Sequence, residues 1–583
     1  MMRWGFVGLL ALVACAPESS RQAQSQARVC PGVIAGEVTQ GQGLDGNQPS
    51  REPDDGRTAT IIRFRKVSGT QASRVTAAGA DLARDVGAKV SFVYRNIPAV
   101  AARVTPEERR ELEQSELVES IEEDQAWFAQ GLTPGLLPAP VMAAAQGVLP
   151  TGEYTDALRM VQAPEVWDAD EDGVLDVGAP TGAGVKVCVV DSGLDLGHPE
   201  LQGAVVAGRD FLDEDDDASD KGEAGQWGMG HGTHVAGIIA ARPGQGGVTD
   251  PKSHPGGMVG VAPGASLLIA RVLDLQGQTQ MSVVLSAMEW CESQGARIVS
   301  MSLGGGTATR SSVDAFKAAL DHGMLIVAAA GNQGGPVLYP ASDPSVVAVG
   351  AVDAHERRAG FSCVGAELDL MAPGVDVLSS FPRGLGAFSQ MSVSDTQPMS
   401  RSLLFSPTGN TAGMLVDCGL ADSLDTCRGA TCDGFVAYVH PGMVPIDQAM
   451  SNVMMQGARS VIFGADDGPA GSEVDILALP RRGHWAPAVS VNQAASTMLR
   501  QRMGSHAWVN LFPVDYTHSS GTSMSAPFVS GVAALLWSAR PELTPLQIRQ
   551  AMQASARDLG TVGRDPVYGH GLVRAKDALQ HLP

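Results

Sequence analysis

Basic residues are scarce. Lys and Arg number 41 against 63 Asp and Glu, which leaves the 583-residue chain at a formal net charge of −22. That balance excludes nucleic acid as a partner, because phosphate binding needs a basic face, and it leaves carboxylates available for cations. Apolar runs are short: none approaches the roughly 20 residues that a membrane-spanning helix requires. Cysteine is sparse too, with eight in all, and the absence of CxxC or Cys/His spacing argues against zinc and metal-thiol chemistry. No segment repeats another. What remains is an acidic chain of ordinary globular composition, with room for several domains that each bury a core.

The chain starts MMRWGFVGLLALVACAPESS. Arg3 precedes an apolar run from Trp4 to Val13, the layout of a secretory signal. Leu12-Val13-Ala14-Cys15 resembles the lipobox of bacterial lipoproteins, so residues 1–15 are expected to be a signal ending at a lipid-carrying Cys15; a plain secretory signal is the alternative. Either way the protein is expected to be exported, as a cell-envelope lipoprotein or extracellular. Residues 16–56, rich in Gln, Ser, Gly and Pro, are expected to be a flexible tether. With Cys15 set aside, seven cysteines remain, so at least one is unpaired within the chain. Cys418, Cys427 and Cys432 lie close enough for two of them to join in an oxidising compartment. Cys188, in a strand pattern, and Cys291, in a helix pattern, are expected to be buried small hydrophobes.

Residues 57–128 alternate strand and helix patterns (TATIIRFR, ASRVTAAGADLAR, AKVSFVYRNIPAVAARV, PEERRELEQS, LVESIEEDQ), which predicts a small α+β unit. Residues 129–153 are Pro/Gly/Ala-rich and read as an exposed linker open to proteolysis. From Tyr154 the pattern becomes strand–loop–helix: GVKVCVV, ARIVSMSL and MLIVAAAGN are strands, with helices at MSVVLSAMEWCESQG and SVDAFKAALDHG. Such units predict an α/β fold with a mainly parallel sheet over 154–383 and 516–583. Residues 384–515 interrupt it as an inserted unit, whose Met-rich helix IDQAMSNVMM is read as core packing. Function in such sheets gathers beyond the carboxyl ends of strands, here at Asp191, Ser302–Gly305 and Asn332.

Three short motifs are ambiguous singly. Asp191 in VVDSGLD could cap a turn. His231 and His234 in GHGTHVAGIIAA form an HxxH without the glutamate of a metalloprotease helix. Ser523 in HSSGTSMSAPFVSGVAALLW could be an N-cap. Taken together they supply a nucleophile, a base and a carboxylate to orient the base, which is what amide hydrolysis through serine needs. Asn332 and the Ser523 backbone N–H could supply the donors that a developing oxyanion requires.

VVDSGLD, GHGTHVAGIIAA, SMSLGGG, AAAGN and GTSMSAPFVSGVAALL, in that order, resemble the signature blocks of the subtilisin-like serine proteases (subtilases). The resemblance covers about Tyr154 to Gln580 apart from the insert. It implies a subtilisin-like three-layer fold and a serine endopeptidase acting on polypeptides without a catalytic cofactor. It implies Asp191, His231 and Ser523 as the triad and Asn332 in the oxyanion hole. Ser302, Leu303, Gly304 and Gly305 would bind substrate backbone as an added strand. The 57–128 unit resembles the inhibitory propeptide of this family, an intramolecular partner of a self-processing zymogen. The insert resembles a protease-associated (PA) domain. Leu338 and the small residues of SLGGG suggest a pocket for an uncharged side chain. A binding protein on the same scaffold is the competing reading, and it would be marked by a missing triad or oxyanion residue; none is missing.

Two acidic runs suit a hard cation. DFLDEDDDASD holds Asp213, Asp215 and Asp217, the residues expected to bind a structural calcium. DADEDGVLD (Asp168 to Asp176) starts like an EF-hand loop but has Ala179 at the twelfth position.

Overall fold

The computed structural model describes residues 30, 55–66, 72–130, 152–221, 229–248, 257–440, 442, 444–465, 479 and 484–583. The signal segment, Cys15, most of the tether and linker residues 131–151 lie outside the described residues. In the N-terminal unit, β1 (Thr58–Phe64), β2 (Lys89–Val93), β3 (Ala99–Val104) and β4 (Val118–Glu123) form an antiparallel sheet in the order β2-β3-β1-β4. Helices Ala72–Val86 and Pro106–Glu113 pack on it around Ile62, Phe64 and Leu112. Thr105 and Glu108 cap the second helix reciprocally, satisfying two backbone donors that a helix start leaves open. The last strand of this segment, β5 (Ala126–Ala129), leaves the sheet and pairs elsewhere.

The central body carries β6 (Lys186–Asp191), β7 (Val205–Asp210), β8 (Ser266–Arg271), β9 (Gln278–Gln280), β10 (Ile298–Met301), β11 (Leu303–Gly304), β12 (Leu325–Ala329), β13 (Val346–Val352) and β14 (Leu370–Pro373). Seven of these make one parallel sheet in the order β14-β13-β12-β10-β6-β8-β7. β12 and β13 are buried at every position, as expected where both faces are covered and the sequence is nearly continuously apolar. Along β6 the side chains alternate, Val187 and Val189 entering one core and Cys188 and Val190 the other. The helix Thr522–Ala539, apolar around its circumference and buried through Trp537, covers the first face. Helices Met281–Ser293 and Arg310–Asp321 cover the second. This is the three-layer α/β fold expected from the sequence.

After β15 (Val377–Ser380), residues 384–515 fold as the inserted unit. β16 (Gly386–Val393), β17 (Ser400–Ser402), β18 (Gly409–Asp417), β19 (Phe435–Val439), β20 (Ala458–Phe463), β21 (Ala488–Val491) and β22 (His506–Val514) form one mixed sheet, in the order β16-β22-β18-β19-β20-β21-β17. Met450 and Met454 pack into the core on one face. The chain re-enters the body through β23 (Tyr516–Ser519), antiparallel to β15. Asp515 pins the neck: its carbonyl accepts from Phe381 N and its carboxylate from Gly384 N, both at 2.8 Å.

The cysteines meet expectation in part: Cys418 and Cys427 join and Cys188 and Cys291 are buried, but two further pairings were not expected. Cys188 and Cys291 are joined, because β6 and the helix covering it bring their Cα atoms within 5.9 Å. Cys418 pairs with Cys427. Cys30, in the segment expected to be a free tether, is buried and bonded to Cys432 of the inserted unit. Cys363 is the free cysteine among the described residues.

Candidate active site

β6 delivers Asp191 at its carboxyl end, and the helix His231–Ala240 presents His231 at its first position. Asp191 Oδ1 meets His231 Nδ1 at 2.7 Å and also accepts from Ser192 N. Gly232 allows this approach, since a Cβ there would overlap the Gly193 carbonyl. A second carboxylate stands behind the pair. Asp220 accepts from Gly230 N at 2.8 Å, Thr233 Oγ1 at 3.0 Å and Ser192 Oγ at 3.3 Å, tying both flanks of the Asp191–His231 contact together. Burial alone would lower the His231 pKa. The charge and hydrogen bond of Asp191, with Asp220 adding its charge, outweigh burial and hold the imidazole above the ordinary histidine value. His234 serves another purpose: it is buried within reach of the Val377 and Thr517 carbonyls, and burial pushes its pKa down to about 3.

Ser523 sits in the first turn of its helix. Its Oγ donates to the Ser302 carbonyl at 3.2 Å, while Ser302 Oγ donates to the Ser523 carbonyl at 2.8 Å. His231 Nε2 is buried and has no hydrogen-bond partner among the described residues, so the expected serine–histidine contact is open in this state; such contacts often tighten only in the reacting complex. Asn332 Oδ1 accepts from both N and Oγ1 of Thr522 at 2.9 Å, which turns its amide nitrogen outward.

That nitrogen donates to the Gln130 carbonyl. The Gln130 N–H in turn donates to the Ser302 carbonyl at 2.9 Å, the acceptor that also receives Ser523 Oγ. β5 therefore lies in the cleft as an added strand, between β11 (Leu303 opposite Ala129, Gly304 opposite Phe128) and β9 (Trp127 opposite Thr279). The Gln130 side chain is buried and donates to the Gly304 carbonyl at 3.1 Å. Trp127 is fully buried, stacked on Phe316 at 6.4 Å and edge-on to Tyr339 at 5.8 Å. The Gly305 N–H is held by the Tyr339 carbonyl. Ala129 and Gln130, expected to be linker, are thus integral to the cleft. The sequence reading also gave no site role to β9, to Thr522 inside GTSMSAP or to Asp220 at the end of the acidic run.

The acidic run before His231 does not fit a calcium site. Lys221 Nζ lies 2.9 Å from Asp210, 2.7 Å from Asp213 and 3.8 Å from Asp215, and Arg271 also pairs with Asp210, so the protein supplies its own cations there. Asp217 instead accepts from Ser219 N. Among the described residues, the carboxylates close enough to share one ion are Asp168, Asp170 and Asp172.

The model of the subtilase family matches residues 182–405 and 501–571, the two segments that flank the inserted unit's centre and carry Asp191, Asp220, His231, Ser302–Gly305, Asn332 and Ser523. The chain is a subtilase. Subtilisin NAT of Bacillus subtilis subsp. natto is 33% identical over 341 residues, 57% of this chain and 76% of the relative. Thermitase of Thermoactinomyces vulgaris is 37% identical over 225 residues, 38% of this chain and 71% of the relative. The psychrophilic subtilisin-like protease Apa1 from Pseudoalteromonas sp. AS-11 aligns with a TM-score of 0.54 at 28% identity, covering 73% of this chain and 96% of that one. Fervidolysin from Fervidobacterium pennivorans aligns at 0.55 and 21% identity, over 91% and 62%, a likeness of fold. As a subtilase the protein is a serine endopeptidase acting on polypeptides, and an Asp–His–Ser triad is expected of it.

Proposed function

We propose that this subtilase is an exported, self-processing zymogen in which Asp191, His231 and Ser523 form the triad. Residues 57–130 are its inhibitory propeptide, and Gln130–Gly131 is the bond it cuts in itself. One observation carries the reading: the Gln130 carbonyl accepts from Asn332 Nδ2 while the Gln130 N–H and Ser523 Oγ share the Ser302 carbonyl. Ser523 Oγ attacks the Gln130 carbonyl carbon as His231 Nε2 takes its proton. Asn332, with the Ser523 N–H at the positive end of its helix, holds the oxyanion. His231 then returns the proton to the Gly131 nitrogen, and water releases Gln130 from the acyl-enzyme by the same steps reversed. Asp191 fixes the imidazole tautomer and stabilises the imidazolium. These steps need only side chains, backbone N–H groups and water. Ser302–Gly304 bind substrates as they bind Phe128–Gln130, with an uncharged residue before the scissile bond and an aromatic or large apolar one three residues earlier, where Trp127 sits.

The 384–515 unit is proposed as a PA-type domain that governs access and has no chemistry of its own. Export as a lipoprotein through Cys15 is proposed from the sequence; none of the helices among the described residues is long and apolar enough to cross a membrane. The test compares intact mass and casein hydrolysis for the wild type and Ser523→Ala. The wild type is expected to yield a new N-terminus at Gly131 and digest casein. The variant is expected to stay whole and lose about 10⁶-fold in kcat, a magnitude taken from a subtilisin rather than from this geometry. Two full-length, inactive, folded proteins would sink the reading, and a new N-terminus elsewhere would sink the assignment of the bond.

A further inference from the structure

The inserted unit holds the far end of the chain. Cys30 is 4% exposed, its sulfur bonded to Cys432 across 402 residues of sequence and its N–H donating to the Met455 carbonyl at 2.9 Å. Gly457 makes room for the junction: at φ +101°, it lies where a Cβ would press on both Cys30 Sγ and Cys432 Cα at 3.3 Å. Cys30 precedes the Gln130–Gly131 bond and Cys432 follows it. Cys188–Cys291 and Cys418–Cys427 lie wholly after that bond. Among the described residues, Cys30–Cys432 is therefore the one covalent link between the two sides of the proposed cut.

We propose that the inserted unit is a docking site for the chain's own N-terminal segment, and that the processed enzyme is a two-chain molecule held together by Cys30–Cys432. The inference rests on the self-processing proposed above. Hydrolysis breaks the Gln130 C–N bond, adds one water and creates a Gln130 carboxylate and a Gly131 amine, while the sulfur–sulfur bond stays intact. The 25 residues from Cys30 to Asp55 reach at most roughly 85 Å when extended. The cut inhibitory unit thus remains near its cleft at an effective concentration on the order of 1 mM, and dilution does not remove it. Whatever the N-terminal segment carries, including the lipid proposed at Cys15, stays on the active enzyme.

Release then requires either a second cut or reduction by a dithiol, which gives up two electrons and two protons, becomes a disulfide itself and leaves Cys30 and Cys432 as thiols. Cys432 is exposed whereas Cys188 and Cys291 are fully buried, so mild reductant opens this link first.

The test measures denatured mass, with and without reductant, for the wild type, Cys432→Ser and Ser523→Ala. Without reductant the wild type is expected as one species, a water heavier than the unprocessed chain. With reductant it should part into pieces ending at Gln130 and starting at Gly131. Cys432→Ser should part without reductant and, diluted into a fluorogenic peptide, show at least tenfold more activity than the wild type. A non-reduced digest of uncut Ser523→Ala should contain a peptide joining Cys30 to Cys432. Absence of that peptide, or a wild type that separates without reductant, overturns the inference. A wild type that stays a single uncut chain under reduction, with the joined peptide present in Ser523→Ala, upholds the docking and overturns the self-processing instead.

Discussion

Asp220 shows how a residue that never touches substrate can set the pH range of a protease. Desolvation, ahead of the nearby Asp191 charge, pushes its pKa up to about 7, so a second carboxylate titrates behind the imidazole in the working range. Its three accepted hydrogen bonds hold the turn after β6 against the start of the His231 helix. Its negative charge adds to that of Asp191 in raising the His231 pKa. Asp220→Asn keeps oxygen acceptance toward Gly230 and Thr233 but loses the charge. The acid limb of the kcat/KM profile, which reports the free-enzyme imidazole, should move to lower pH. An unmoved limb with reduced activity would leave Asp220 a scaffold and nothing more. Sequence reasoning could find Asp191 and His231 because each sits in a short glycine-rich motif. Asp220 lies ten residues before Gly230, the first residue of the histidine motif, inside an acidic run that read as a cation site.

At the scale of elements, β5 is the informative case. AWFA is too short to predict as a strand, and it is one because β9 and β11 offer unpaired edges on both sides. Its hold is concentrated in one side chain: Trp127 fills the pocket between Phe316 and Tyr339, the kind of buried aromatic anchor that dominates binding energy. The rest of the N-terminal unit docks through Ile61, Tyr94 and Ile97, which enter the same buried core as Leu285, Met288 and Phe316, and through polar contacts. Asp124 accepts from Ser282 N and Oγ at the start of the helix Met281–Ser293, and Glu289 accepts from Arg95 N and Asn96 N. Trp127→Ala should cost about 2 kcal/mol or more of this association. Processed enzyme carrying it should then show at least tenfold higher activity on a small fluorogenic peptide than the wild type. Equal activities would mean that the other apolar and polar contacts keep the cleft shut without Trp127.

The molecule as a whole turns on the neck where the inserted unit meets the body. Glu200, fully buried, accepts from Tyr516 Oη at 2.6 Å and Met258 N at 3.1 Å, and its Oε2 has no partner among the described residues. Burial pushes its pKa up to about 7. The folded state therefore holds this proton more tightly than the unfolded chain. The stability it contributes is complete below the ordinary carboxylate pKa of 4.5 and is lost as pH rises through about 7. The shift corresponds to about 3 kcal/mol between those limits. In a Ser523→Ala background, which prevents self-digestion, the Tm should fall from pH 5 to pH 8, and Glu200→Gln should shrink that fall by roughly 2–5 °C. A fall of the same size in both proteins would remove Glu200 from the account.

The sequence by itself determined the fold class and the kind of enzyme. Buried parallel strands read as near-continuous apolar runs, and the turns at their carboxyl ends carry short motifs whose glycines, histidine and serine are constrained within a few residues. Such signals are local, so they survive without a structure. Only the tertiary structure decided what depends on meetings between distant segments. Cys188 and Cys291 each read correctly as buried, yet burial does not say that a strand and its covering helix bring two sulfurs together. Cys30 found Cys432 across the whole molecule, Lys221 took the cation role inside the acidic run, and Gln130 reached the Asn332 amide from a stretch that looked like linker. Each of these is a long-range pairing selected by the packed fold, and no periodicity or motif in the chain encodes its partner.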